Sequence, residues 1–413
     1  PWLFSVATIH TILSQRKSGA FVRTNLVLAM MCFLTVLYST FLTRSGIFSS
    51  VHAFSESPIG WMFLALMGGL LIGGAVMLVR RRDQLAARQA FSNIFARETL
   101  ILVSTFLLVS LAIVVTVGTL VAPLSKMFLG RMIQVGPAFY NNVLPPIGLG
   151  LLATTAAVPL LQWGAPPTPA RRRLLARCLA VSLAVVAVAL VVGMRQPLLL
   201  AVVGMAAMTV ATFLAAWLHE AWQRQSHPRW HGLLGALRNG RRRYAAYSVH
   251  LGFVCVAIGV TGSSLGTQRK EVTLSEGDSL HWADRQIHYV RLEQRQLPDK
   301  LVAEAVLQIA RDGSAPVELR PARHLHLLQN DWTTEVAIES TWRGDFYTVL
   351  HAGLGDGRVV VTLVDNPMIC WIWGGGAVAT VAAIVALWPV SRRRVEIAEQ
   401  TDERGENARE SER

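Results

Sequence analysis

The sequence predicts an all-α polytopic membrane bundle of about nine transmembrane helices, the first truncated, with one inserted all-β periplasmic domain. Three observations carry this. Apolar runs long enough to cross a bilayer recur along the chain. The loops between them alternate between basic and non-basic. One block of roughly a hundred residues changes from continuous to alternating apolar character. Composition agrees: 52% of the 413 residues are hydrophobic and 16% are charged, against about 25% charged in soluble domains.

The apolar runs fall at 24–43, 58–79, 99–121, 139–161, 174–193, 197–218, 244–265 and 368–389, and residues 1–13 read as the tail of a ninth. The chain opens on Pro1-Trp2-Leu3, with no initiator Met, charged n-region or cleavage site. That pattern is not a signal peptide and suggests the C-terminal part of something longer. Arg and Lys crowd the stretches 15–23, 80–98, 162–173, 219–243 and the tail from Arg392, whereas the intervening loops hold only Arg44, Lys126, Arg131 and Arg195. Such alternation is the positive-inside pattern, so the basic loops and the C-terminus are expected on the cytoplasmic side of an inner membrane. The net charge of +13 belongs to these loops and forms no separate basic domain, which argues for contact with membrane lipid and against nucleic-acid binding.

Four domains follow: a helical bundle over 1–265, a β-rich domain over 266–367 on the opposite, periplasmic face, a last span over 368–390, and a charged tail over 391–413 expected to be disordered. In the β-block, Leu301, Ala303, Ala305, Leu307 and Ile309 alternate with Val302, Glu304, Val306 and Gln308, and Val359, Val361 and Leu363 repeat the pattern. Further short runs at 271–274, 286–292, 335–339 and 346–350, with turn signals such as Glu276-Gly277-Asp278, suggest about eight strands in a sandwich or barrel. Cys32, Cys178, Cys255 and Cys370 all fall inside expected spans with no CxxC spacing, and read as small buried residues.

Ionisable side chains within spans mark functional sites by default. Two histidines qualify: His10 in the run at 1–13 and His250 in the run at 244–265. Each stands a few residues above a basic loop, roughly 6–9 Å in from the same membrane face at 1.5 Å per residue. Two imidazoles at one depth suit ligation of one haem iron from opposite sides; packing or headgroup-level hydrogen bonding is the open alternative. A third histidine, His52, lies in the outer segment Arg44-Ser45-Gly46-Ile47-Phe48-Ser49-Ser50-Val51-His52-Ala53-Phe54, among apolar neighbours suited to a membrane surface or a flat ligand. Arg44 could pair with a carboxylate such as a haem propionate, or simply anchor at the interface.

The opening Pro1-to-His10 string, the segment Thr40-Phe-Leu-Thr-Arg-Ser-Gly-Ile-Phe-Ser-Ser-Val-His-Ala-Phe54, and a His250 helix leading into a β-domain resemble the C-terminal two-thirds of the CcmF family, the haem lyase components of cytochrome c maturation. The resemblance implies a bis-histidine b-type haem held by His10 and His250. It implies that His52 is the second of two outer histidines on haem delivered by the chaperone CcmE. It further implies reduction of that haem, with quinol as electron source, and joining of its vinyl groups to the CxxCH thiols of apocytochrome c, alongside thiol-handling and chaperone subunits. The family's tryptophan-rich outer segment and first outer histidine would precede Pro1, so a preceding segment or companion chain would supply the partner of His52.

Other features carry less. His219, His227 and His231, with Arg224 and Arg229, read as a solvated loop, and His324 and His326 share a strand face with no third ligand nearby. Trp371 and Trp373 read as interface anchors, and Gly374, Gly375 and Gly376 as a site of close helix packing. The rival classes are a transporter, disfavoured by the lack of internal repeats and midplane charge, and a non-haem scaffold subunit.

Overall fold

The computed structural model describes residues 1–44, 59–85, 93–223, 237, 240–311, 314–328, 330–353 and 357–388. Within them the chain forms two compact units, Pro1–His219 and Glu220–Arg413. Nine helices occur among the described residues, eight of them long and apolar enough to cross a membrane.

The first unit contains α1 (Trp2–Ser18), α2 (Val22–Arg44), α3 (Ile59–Arg80), α4 (Arg97–Leu129), α5 (Pro137–Ala157), α6 (Pro169–Val191) and most of α7 (Pro197–Gln223). Its core is small: Phe4 and Ala7 of α1 meet Leu28 of α2 and Leu108 and Ala112 of α4. Hydropathy places the end of α1 near Leu13, but the helix continues to Ser18. Gln15, Arg16 and Lys17 leave the apolar run without leaving the helix, because straight-chain polar residues are good helix formers. Gly19 then stops it in the left-handed conformation (φ 68°) and donates to the Gln15 carbonyl at 2.8 Å. Helix α4 likewise runs past the expected loop start at 122, through Pro123, Ser125 and Lys126 to Leu129, where Gly130 ends it in the left-handed conformation (φ 67°). Arg97 Nε and the Arg171 guanidinium donate to the carbonyls of Val158, Leu160 and Leu161, and buried Glu98 accepts from Gly164 N–H at 2.9 Å. These contacts pin the turn that follows α5 and satisfy backbone groups the turn leaves open.

The second unit holds α8 (Arg241–Gly266), ten strands and α9 (Ile369–Leu387). The strands form two antiparallel sheets, one in the order β1-β10-β9-β8 (Gln268–Leu274, Val359–Pro367, Gly344–Gly353, Ala337–Ser340). The other runs β2-β3-β4-β6-β7 (Ser279–Trp282, Arg285–Gln296, Lys300–Arg311, Ala322–His326, Asp331–Glu335), with β5 (Val317–Leu319) also on β4. The result is a sandwich and not a barrel, with two strands more than the alternation predicts. The short β2 and β5 carry too few residues to display a period. The two inner faces meet in a core of Ile287, Tyr289, Leu307, Ile309, Phe346, Leu350, Val361 and Leu363. Of the alternating set on β4, 305, 307 and 309 are buried and 301 and 303 half-buried, while Val302 and Val306 of the intervening set are buried too.

Strands β1 and β10 pair directly, Gln268 opposite Asp365, so the sandwich leaves α8 and returns to α9 through neighbouring strands. The two helices then pack backbone to backbone. A Cβ on Gly252 would lie 2.5 Å from the Gly375 carbonyl oxygen, and one on Gly375 would lie 2.5 Å from that of Gly252. Of the three consecutive glycines only Gly375 is at the seam; Gly374 and Gly376 have nothing within 4 Å of an added Cβ.

Candidate functional site

His10 lies on α1 at the edge of the stripe formed by Phe4, Ala7, Thr11 and Ser14, which is buried against the neighbouring helices. Its ring is half-buried, and Nδ1 stands 2.8 Å from the Val6 carbonyl oxygen one turn back. A carbonyl only accepts, so Nδ1 is the donor in this bond.

His250 repeats this arrangement in the second unit. It too is half-buried, with Nδ1 2.7 Å from the Ala246 carbonyl. The face of α8 that bears Gly252 and Gly259 is committed to α9. His250, two residues before Gly252, is turned about 160° from that face at 100° per residue. The seam with α9 therefore sets the direction of the imidazole as well as holding the helices together. Toward the start of α8, Glu220 accepts from both the Tyr244 hydroxyl and the Arg243 guanidinium, and Arg241 donates to the Trp388 carbonyl at 2.6 Å. Helix α8 is thus held at its basic end by Glu220 and by the end of α9.

A helical histidine bonded through Nδ1 to the carbonyl four residues earlier is held in one tautomer and one ring orientation. These are the two conditions a metal-ligating imidazole requires of its surroundings. Both histidines fit an iron ligand on that test. Sequence reading found the two histidines but not these bonds, since every helical residue has a carbonyl four positions before it. Glu220 was also missed, although it is the sole carboxylate between Pro197 and Gly266.

The remaining candidates are more scattered. Arg44 closes α2 with an exposed side chain, and His52 lies outside the described residues, as do His227, His231, Arg224, Arg229 and the tail after Trp388. His219 sits in the last turns of α7. His324 and His326 share a face of β6, but Lys300 Nζ donates to His324 at 3.4 Å and His326 pairs with the Thr333 hydroxyl at 3.2 Å. Among the described residues no group of three His, Cys, Asp or Glu could hold a metal ion. The four cysteines are free thiols within α2, α6, α8 and α9.

The fold defines a multi-spanning membrane protein with an antiparallel β-sandwich inserted before its last long helix. Residues 266–367 match the family model for the CcmF C-terminal beta-sandwich. The chain is similar to the cytochrome c-type biogenesis protein CcmF. It is 30% identical to the Pseudomonas fluorescens CcmF over 94% of its own length and 58% of that protein's. The Escherichia coli K12 CcmF is 26% identical over 96% of this chain and 60% of its own. The Haemophilus influenzae biogenesis protein NrfE is 25% identical over 95% and 60%. A solved structure described as cytochrome c heme lyase CcmF superposes with a TM-score of 0.74 at 21% identity, over 94% of this chain and 58% of that one, and so shares the fold. The chain spans about three-fifths of the length of these relatives.

Proposed function

We propose that this chain provides the membrane-embedded, haem-holding part of a CcmF-type haem lyase in cytochrome c maturation, with His10 and His250 as the axial ligands of a b-type haem. The observation that carries the reading is the shared hydrogen bond from Nδ1 to a carbonyl one turn back, on two histidines from distant spans. Measured from the basic residues Arg16 and Arg243, the two stand about 9–11 Å along their helices, in keeping with ligands at one depth. Haem held there would supply one-electron chemistry, with a membrane quinol as donor. The two imidazoles would hold its iron, each oriented by its Nδ1 bond to a carbonyl, and the glycine seam of α8 with α9 keeps His250 aimed. In this reading the bundle 1–265 and the span 368–390 lie in an inner membrane. The sandwich 266–367 faces the periplasm, and the tail 391–413 lies in the cytoplasm. The sandwich docks the chaperone CcmE, apocytochrome c and its thiol-handling subunits, while His52 and Arg44 serve the delivered haem and its propionates.

The test is spectroscopic. The full chain purified from haem-making cells is expected to show a Soret band and split α/β peaks on reduction, with His10→Ala or His250→Ala losing most of the bound haem. A colourless protein, or a spectrum indifferent to both substitutions, overturns the assignment. A colourless protein that moves a solute across vesicles would support a transporter instead.

A further inference from the structure

The sandwich carries a two-residue turn that the proposed haem chemistry does not use. Strands β8 and β9 join through Trp342 and Arg343, with Thr341 and Gly344 bonded to each other both ways at 3.0 and 3.2 Å. The Trp342 indole is 77% exposed, and the Arg343 guanidinium lies 5.1 Å from its ring centroid. An aromatic with this much free surface at the tip of a water-facing domain would be poorly placed, because its apolar area gains nothing from folding.

Two contacts set its level. Met368 N–H donates to the Arg343 carbonyl at 2.9 Å, and Cys370 Sγ to the Trp342 carbonyl at 2.7 Å. The turn is therefore tied to the first turn of α9, a helix long and apolar enough to span. Trp371 and Trp373, at 45% and 75% exposed, stand in that same turn of α9. Three indoles and an arginine at the mouth of one span have the composition of a bilayer interface, where the ring body lies among acyl carbonyls and the cation meets phosphate.

We propose that the Trp342-Arg343 turn is seated in the headgroup layer of the leaflet next to the sandwich, and that phospholipid is its partner. Together with the β1 and β10 connections it gives the sandwich a third attachment at the membrane, which fixes its tilt.

The test places a photoreactive benzoylphenylalanine at position 342 of the full chain in its native membrane, with a second probe at Leu328. Leu328 is 90% exposed and lies beyond β7 and β8, about 30 Å of strand away. A phospholipid-mass adduct at 342 and none at 328 is the expected result. In vesicles of dibrominated phosphatidylcholine, Trp342→Phe is likewise expected to lower the bromine-quenchable tryptophan emission. A protein adduct at 342, no adduct there, equal lipid labelling at both positions, or unchanged quenching each overturns the proposal.

Discussion

The sandwich and the α8–α9 pair adjoin within one unit, yet they cohere by opposite means. In the sandwich, side chains fill the space: Ile287, Tyr289, Leu307, Phe346 and Leu350 have no exposed surface. At the helix seam, side chains are left out, and Gly252 and Gly375 bring main chains together. The difference follows from the surroundings. Water drives apolar side chains of the sandwich inward, whereas lipid tails are as apolar as leucine and offer no such drive, so spans associate by close fit. A methyl group is thus an asset in one region and an obstacle in the other.

The sharpest way to break the comparison is at neighbouring glycines of α9. Gly375→Ala puts a methyl 2.5 Å from the Gly252 carbonyl, and Gly375→Leu more, so the yield of folded protein and its thermal midpoint in detergent are expected to collapse. Gly376→Ala, with nothing within 4 Å, is expected to be neutral or to stabilise slightly, because glycine inside a helix costs about 1 kcal/mol against alanine. Equal effects at both positions would dissolve the contrast.

Next comes a charge inside the sandwich. Arg285 is fully buried, stacked 4.3 Å over Phe346, and its guanidinium reaches Asp365 at 2.9 Å, Asp284 at 3.0 Å and Glu339 at 3.2 Å. It sits on β3 while Asp365 and Glu339 belong to the other sheet, so it bridges the two layers. Arg285→Met leaves Asp365 and Glu339 without their cation, while Asp284 keeps Arg311 at 2.9 Å, and is expected to destabilise by about 4 kcal/mol, with partial recovery on adding Asp365→Asn. Chemical unfolding followed by sandwich-specific hydrogen exchange measures both.

Leu307→Ala removes packing alone and is expected to cost about 3 kcal/mol in the same assay. The smallest effect concerns Tyr289, whose hydroxyl donates to the Gly357 carbonyl at 3.0 Å. Burial, with Glu276 adding to it, pushes the phenol up to about 12. The folded state then holds a proton that the unfolded chain releases near pH 10. Stability from this group is complete below pH 10 and declines as pH rises from there toward 12. Tyr289→Phe is expected to flatten that alkaline decline while losing about 1 kcal/mol of hydrogen bonding at neutral pH.

Much of this was legible in advance because hydropathy and alternation are local. The eight long spans and the presence of a β-rich block before the last of them required only periods of 3.6 and 2. The same signals failed where polarity and backbone part company, as in the last turn of α1 and the end of α4. They also failed where strands are too short to show a period, as in β2 and β5. His10 and His250 stood out because imidazoles are scarce in apolar runs.

By itself the sequence determined that the chain has repeated spans long and apolar enough to cross a membrane, that a β-rich block lies before the last of them, and that His10 and His250 stand within apolar runs. The tertiary structure alone decided which glycine of three meets α8, that His250 is turned away from α9, that both rings are held through Nδ1, and that Trp342 stands level with Cys370. The reason is physical: burial preference is a property of each residue and its near neighbours. Contact and direction depend on which distant segment comes to lie alongside.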